Sequence, residues 1–296
     1  SLCSNSMALL ETTKALCERC HIKPSRSKGQ NFLVDEGAYE AMIEAAHLQG
    51  DEVVLEVGPG LGFLTERIAH RTQKVFAVEL DDALAPVLKR RLKEENISNV
   101  EIYNEDILNF RGEWAKALAL IPSFIVVANL PYNISSLFLR KFLSGNEGGI
   151  LPERLALMLQ KEVAERLVAA PGALSILGVS AQFYMNVKIK AFVPANSFWP
   201  APKVGSAVVA LQRNYIYVER LKNLGVEEKI FFRLVKIGFS ARRKMLKANL
   251  AGGLKIPLPE ILEAFTEAGI SPTARAQELS LEEWIKLVAI LGGKMV

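Results

Sequence analysis

At 296 residues, half of them apolar and 23% charged, the chain is long enough for one large domain plus a smaller one, and its composition excludes a disordered or collagen-like protein. No apolar run approaches the roughly 20 residues that a membrane-spanning helix requires, which excludes a helical membrane protein. The net charge is +4, but residues 213–296 hold 14 basic against 9 acidic side chains while residues 1–212 hold 22 against 23, so the positive excess lies in the tail.

Residues 1–21 read as an N-terminal extension. Ser1 to Met7 have neither a basic start nor an apolar stretch, so they read as a frayed end and not as a secretory signal. All three cysteines, Cys3, Cys17 and Cys20, fall here, so no disulfide framework ties the main body together, and a reducing, cytoplasmic setting fits. Cys17, Cys20 and His21 spell C-x-x-C-H, a pattern of covalent haem attachment or the start of a zinc site. Haem attachment requires export and zinc requires a fourth ligand; with neither in the sequence, these read as cysteines on an amphipathic helix.

From about residue 36, helical and short apolar stretches alternate, as in an α/β protein wound around a parallel sheet. The pattern predicts strands over 53–57, 74–79, 100–104, 124–128, 154–159, 187–193 and 206–212. Helical stretches such as 81–94 and 135–143 are long enough for crossovers between parallel strands. The last two strands are separated only by "PANSFWPAP", too short for a helix, which implies an antiparallel return. Five parallel strands closed by such a pair form the Rossmann-like sheet of class I methyltransferases. These elements make up a domain over 22–212.

After Gln212 the strand signals stop, and four helices make a small all-α domain over 213–296. Phe231, Leu234, Val235 and Gly238 follow i, i+3, i+4, i+7 spacing, and Ser240 is placed to cap a second helix running to Leu250 before Gly252-Gly253. Pro259 suits the first turn of a third helix ending at Gly269, and Ser280 with Glu283 forms a capping box for the fourth. Arg233, Lys236, Arg242, Arg243, Lys244 and Lys247 occur with no acidic residue among them, a distribution that attracts a phosphate backbone.

The strand "VVLEV" runs into Gly58-Pro59-Gly60-Leu61-Gly62, a glycine turn at the carboxyl edge of the sheet, where open α/β folds bind ligands. Phe63 stands where a dinucleotide fingerprint needs a third glycine, which counts against NAD. Glu79, followed by Leu80, ends the second strand 21 residues after Gly58, where a carboxylate can accept both ribose hydroxyls of an adenosine cofactor. Asp106 follows the third strand, placed to accept from an adenine amino group, with Ile107 against the ring. Together these point to an S-adenosylmethionine site.

Asn129-Leu130-Pro131-Tyr132 follows the fourth strand. Adenine's exocyclic amine is a poor nucleophile because its lone pair is delocalised, so a catalyst must orient it and favour a tetrahedral nitrogen. The Asn129 side-chain carbonyl and the Leu130 main-chain carbonyl can both accept from it, Pro131 stiffens the turn, and Tyr132 offers a stacking face.

With "GQNFL", "LEVGPGLGFLT", "NEDIL", "NLPYNIS", "QKEVAERL", "FWPAPKVGSAVV" and "GFSARRKMLKANL" in order, the chain resembles the KsgA (RsmA) family of ribosomal RNA adenine dimethyltransferases, related to the Erm methyltransferases, over residues 22–292. The resemblance implies dimethylation of two adjacent adenosines in a hairpin loop near the 3′ end of 16S small-subunit rRNA, acting as a monomer on a partly assembled subunit. It also implies cofactor contacts from Asn31, Leu33, Gly58, Gly60, Glu79, Leu80, Asp106, Ile107 and Asn129, with Phe198 as a second aromatic wall for the target base. The segment around Ser27-Lys28 departs from the family pattern, and the stretch near Pro171-Gly172-Ala173 is shortened. The rival readings are Erm-type methylation of large-subunit RNA and a non-catalytic assembly or transcription factor on the same fold. The leucine of N-L-P-Y and the "GFSARRKML" segment favour the KsgA branch over the Erm branch, and intact Asn129, Tyr132 and Glu79 favour turnover.

Overall fold

A computed structural model describes residues 2–25, 29–144 and 151–295, with side chains from Met7 onward. The departure at Ser27-Lys28 lies outside the described residues. Seven strands make one sheet: β1 (Val53–Val57), β2 (Lys74–Val78), β3 (Val100–Tyr103), β4 (Ile125–Asn129), β5 (Arg154–Gln160), β6 (Met185–Val193) and β7 (Ser206–Arg213). The central strands are nearly continuous apolar runs because both of their faces are covered. Their order is β3-β2-β1-β4-β5-β7-β6, with β1 to β5 in parallel register and β7 antiparallel to β5. Every predicted strand is present to within two residues. The chain moves outward from β1 to β3 and then crosses back to β4, so the sheet has a topological switch point between β1 and β4, where a crevice opens at the carboxyl ends.

Period-based reading does not detect two-residue strands. Phe32–Leu33 pairs antiparallel with Phe198–Trp199, placing Leu33 opposite Phe198. The pair is anchored by Ser197 Oγ donating to Asp35 Oδ2 at 2.6 Å and by the Val34 N–H donating to the Ser197 carbonyl at 2.8 Å. Asp35 also caps the helix Glu36–Ala46, and Tyr39 from that helix donates its hydroxyl to the Leu33 carbonyl at 2.9 Å.

A helix spans Leu2–Arg19, which corrects the expectation that Ser1 to Met7 are frayed and agrees with the helical reading of Cys17. Leu9, Thr13, Leu16 and Cys17 fall at i, i+4, i+7 and i+8 and are all buried, so packing of that face holds the helix. Burial, reinforced by the neighbouring Cys20, pushes the Cys17 thiol up to about 11, so it stays an inert core group. Cys20 accepts a contact from the Arg90 guanidinium, and His21 leaves the helix with φ of 54°. No described helix is long and apolar enough to cross a membrane.

The chain forms two compact units, one reaching to Ala164 and resuming over Val187–Arg213, the other comprising Glu165–Asn186 and the chain from Asn214 onward. In the second unit the helix Ile176–Tyr184 joins the tail helices through an aromatic cluster: the Phe183 ring lies 4.8 Å from that of Phe231 and 6.1 Å from that of Tyr217. The shortened stretch crosses this unit with the Gly172 N–H bonded to the Gln277 carbonyl at 2.8 Å.

The tail helices are Ile216–Asn223, Glu228–Gly238, Leu246–Leu254, Leu258–Ala268 and Leu281–Leu291. Phe231, Leu234, Val235 and Gly238 are buried as their spacing requires, Gly269 closes its helix in the left-handed region, and the Ser280–Glu283 capping box is formed. Ser240 does not cap a helix. The Asn249 side chain, buried, donates to the Gly238 carbonyl at 2.6 Å and to the Ala241 carbonyl at 3.1 Å, which stabilises a loop through residues 240–245 and delays the next helix to Leu246. Gly252-Gly253 does not stop that helix either. A Cβ on Gly253 would stand 2.3 Å from Ile237 Cγ2, so this glycine serves close helix approach.

Replacing Asn249 with alanine leaves the buried Gly238 carbonyl without its side-chain donor and removes one of the two donors of the Ala241 carbonyl. It should lower unfolding free energy by about 1–3 kcal/mol, read as a lower urea midpoint at unchanged slope.

Candidate active site

The crevice holds a cavity of about 370 Å³ in the first unit, within the size range of small-molecule sites. Every cofactor and base-handling position read from the sequence lines it: Asn31, Leu33, Gly58, Gly60, Glu79, Leu80, Asp106, Ile107, Asn129, Leu130, Pro131, Tyr132 and Phe198. They come from the carboxyl ends of β1, β2, β3 and β4 and from the Phe32–Leu33 and Phe198–Trp199 pair.

The glycine turn leaves β1 with Gly58, Gly60 and Gly62 at φ of 65°, 57° and 86°, a path that Cβ-bearing residues resist. It is tied sideways to β2. The Gly60 N–H donates to Glu79 Oε2 at 2.9 Å, the Asp81 N–H donates to Glu79 Oε1 at 2.9 Å, and the Gly58 N–H donates to the Val78 carbonyl at 3.0 Å. Glu79 is therefore not a solvent-facing strand end. It is 6% exposed, and burial raises its pKa while the hydrogen bonds from the Asp81 and Gly60 amides oppose the rise. Each carboxylate oxygen accepts one backbone N–H and keeps capacity for a second bond, and truncating the side chain would orphan both backbone donors. Leu80 is 66% exposed at the rim.

Asp106 holds its own loop, accepting the Leu108 N–H on Oδ1 at 2.8 Å, and Oδ2 takes no bond among the described residues. Ile107 is buried beside it, and the Trp114 indole donates to the Asp106 carbonyl at 3.3 Å, which fixes this wall.

Across the cavity, Asn129 closes β4, and the N–H of the following residue, Leu130, bonds to the Met158 carbonyl of β5 at 3.3 Å. The Pro131 carbonyl is taken by the Ile134 N–H and the Ser135 hydroxyl. The Asn129 side-chain amide and the Leu130 carbonyl have no partner among the described residues, so two acceptors remain free where the sequence places the reacting amine. Tyr132 Oη lies 2.7 Å from Ser206 Oγ at the start of β7, which fixes the ring plane. Burial raises the phenol's pKa, so Tyr132 stays neutral and presents a stacking face, not a base. Phe198 is buried opposite Leu33 and forms part of the same wall.

Three site residues escape the sequence reading. Ser206 looks like an ordinary strand start. Gln30 donates to Asp81 Oδ2 at 2.6 Å and ties the N-terminal strap to the rim. Glu56 is the third and has the clearest signal, because a carboxylate inside the otherwise apolar run "VVLEV" contradicts its surroundings. It is 1% exposed, lines the cavity, and neither oxygen has a hydrogen-bond partner. Burial pushes its pKa up to about 8, with the facing Thr65 hydroxyl opposing and the Glu79 charge adding to the rise.

Of the basic tail residues, Lys236, Arg242, Arg243 and Lys244 are exposed and form no ion pair among the described residues. Arg242, Arg243 and Lys244 sit in the 240–245 loop, and Lys247 is half-buried in the helix Leu246–Leu254. Arg233 is exposed as well, and its guanidinium donates to the Met295 carbonyl at 2.6 Å.

The family described as ribosomal RNA adenine dimethylase matches residues 22–292. Ribosomal RNA small subunit methyltransferase A of Dehalococcoides mccartyi (strain CBDB1) is 39% identical over 286 residues, covering 97% of this chain and 94% of that protein. The protein of the same name from Desulfitobacterium hafniense (strain DSM 10664 / DCB-2) is 41% identical over 268 residues, covering 88% and 90%. Among solved structures, a dimethyladenosine transferase from Plasmodium falciparum aligns with a TM-score of 0.74 at 25% identity, covering 89% of this chain and 98% of that one. The 23S rRNA methyltransferase ErmE aligns with a TM-score of 0.68 at 27% identity, covering 88% and 100%.

Glu56 makes stability depend on pH with a definite sign. The folded carboxyl keeps its proton to about 8 whereas an ordinary glutamate titrates near 4.5, so the native state binds more protons between these values and stability falls as pH rises through that window. Glu56→Gln should remove this fall, which is on the order of a few kcal/mol, as measured by urea unfolding at pH 5 and pH 8.

Proposed function

The chain belongs to the ribosomal RNA adenine dimethylase family, and on that premise we propose that it dimethylates the exocyclic amines of two adjacent adenosines in a hairpin loop near the 3′ end of 16S small-subunit rRNA, with S-adenosylmethionine as methyl donor. The observation that carries this reading is the pairing, at one cavity wall, of two unbonded acceptors, the Asn129 amide and the Leu130 carbonyl, with the Tyr132 and Phe198 rings. The small-subunit assignment rests on relatives 39–41% identical over most of the chain, against 27% for the large-subunit enzyme ErmE.

The residues present suit the cofactor. Glu79 would accept the ribose hydroxyls on its remaining lone pairs, Asp106 Oδ2 would accept the adenine amino group, and Ile107 and Leu80 would flank the ring. Glu56, buried and without a hydrogen-bond partner, is a neutral acid on the inner wall that a cationic ligand end would draw toward its ionised form. S-adenosylmethionine, when bound, supplies a methyl group already activated on sulfur.

The protein's own task is then positional. Asn129 and Leu130 accept the two N–H groups of the target amine, which turns its lone pair out of conjugation and along the line of displacement, while Tyr132 and Phe198 hold the base plane. No base is needed before attack, because the amine becomes acidic only once it is methylated, and the proton then leaves to solvent. The neutral Tyr132 phenol fits this division of labour. The exposed cations Lys236, Arg242, Arg243 and Lys244, with Lys247, would grip phosphates and help offset the cost of extruding the base.

The direct test is methyl incorporation into small-subunit particles from a strain lacking this modification, with large-subunit particles as the Erm-type alternative. Absence of turnover on both, with cofactor binding intact, would favour a non-catalytic factor. Asn129→Ala should reduce turnover on small-subunit particles by at least 100-fold at nearly unchanged particle affinity, since its contact strengthens as the nitrogen becomes tetrahedral. Replacing Arg242, Arg243 and Lys244 with alanine should weaken particle binding and flatten its salt dependence by roughly 0.7 to 0.9 log units of slope per lost phosphate contact. Cofactor affinity by calorimetry should stay constant in that variant.

A further inference from the structure

The outer edge of the sheet carries a surface that the cofactor site and the tail leave unexplained. β6 is the last strand in the sheet order, and its pattern alternates, with Lys188, Lys190 and Phe192 exposed at successive positions of one face. Phe192 is 60% exposed, although an aromatic ring on an edge strand is the residue least suited to water. Lys161, which follows β5, places its ammonium 5.4 Å over the Phe192 ring, and Lys203 is exposed on the turn before β7. Lys188, Lys190 and Lys203 form no ion pair among the described residues, and no Asp or Glu occurs between Glu165 and Glu219.

This face is joined rigidly to the base-handling wall. The Lys161 N–H donates to the Gly205 carbonyl at 3.0 Å, and the next residue, Ser206, holds the Tyr132 hydroxyl at 2.7 Å. A Cβ on Gly205 would lie 3.0 Å from the Val193 carbonyl, so the turn before β7 is packed directly on the end of β6. Lysines on an edge strand can serve only to prevent strand addition, but that role gives no reason for the exposed ring beside them.

We propose that the Lys188–Lys190–Phe192 face of β6, extended by Lys161 and Lys203, is a second RNA-binding surface. It takes the single-stranded nucleotides that flank the target adenosine, with the lysines against phosphates and Phe192 as a stacking platform for one unpaired base. Charge complementarity selects a polyanion, and the combination of cations with an aromatic face selects a single strand over a duplex, because a paired base offers no free ring face. This inference rests on the chain's acting on RNA and adds a track that runs down the outer edge of the same unit from the turn before Ser206, with Phe192 nearest that turn and Lys188 farthest from it.

The test compares wild type, the Lys188→Ala/Lys190→Ala double variant, Phe192→Ala and Phe192→Trp for binding to unmodified small-subunit particles across a salt series, with calorimetric S-adenosylmethionine binding to show that each variant is folded. The lysine variant should lower the salt slope by about 0.7 per lost phosphate contact. Phe192→Ala should weaken binding about 5- to 100-fold with little change of slope, and Phe192→Trp should restore it. Wild-type affinity and slope in both alanine variants, with wild-type methylation intact, would overturn the surface while leaving the function standing. Lysine variants that bind normally but self-associate in light scattering would assign those residues to edge protection and equally overturn it. Failure of wild type itself to bind or methylate the particle would overturn the functional reading and this surface with it.

Discussion

The carboxylate of Glu79 is the tie on which the crevice depends. Its two oxygens take backbone N–H groups from Gly60 and Asp81, so one side chain at the end of β2 sets the path of the turn after β1 and of the turn after its own strand. A glycine turn with three positive φ values has lost the steric guidance that a Cβ provides. A charge-assisted bond to a neighbouring strand replaces that guidance with an electrostatic one. The parallel register of β1 and β2 brings the two groups to the same edge, which is why sheet topology and ligand chemistry meet at this point.

Around that tie the cavity is divided by charge. One part is carboxylate-rich, with Glu56 on the inner wall and Glu79 and Asp106 nearer the rim; the opposite wall is amide and aromatic, with Asn129, Tyr132 and Phe198. The first suits hydroxyls, amines and cations, the second a flat, neutral, hydrogen-donating base. Glu56 shows how finely such a wall is set. A buried acid with no hydrogen-bond partner keeps its proton well above the usual range, so the inner wall carries less negative charge than a count of its carboxyls suggests.

Much of this was legible in the sequence. All seven strands followed from apolar runs and turn residues, because central strands buried on both faces leave the strongest local signal, and the site positions followed from where those strands end. The misses have physical causes. The Phe32–Leu33 and Phe198–Trp199 pair is too short to show a period and is held by Asp35 and Ser197, which lie 162 positions apart. Ser240 has the chemistry of a cap, yet Asn249 outcompetes it by bonding the Gly238 and Ala241 carbonyls from the following helix. The helix Ile176–Tyr184 belongs with the tail unit through the ring of Phe183, a contact that no local pattern encodes. The spacing places Glu79 along the chain but says nothing of its burial, which the neighbouring turns supply and no local pattern encodes.

The short strap of Phe32–Leu33 has one further consequence. The cavity's walls come from segments near residues 30, 58, 79, 106, 130 and 198, so no contiguous fragment of the first unit contains the pocket. Any small molecule that fits it recognises only the assembled unit and acts as a folding ligand, adding about 2.7 kcal/mol to that unit at a hundred times its dissociation constant. A molecule bound there would lower the fraction of that unit that is open to proteolysis in proportion to its occupancy.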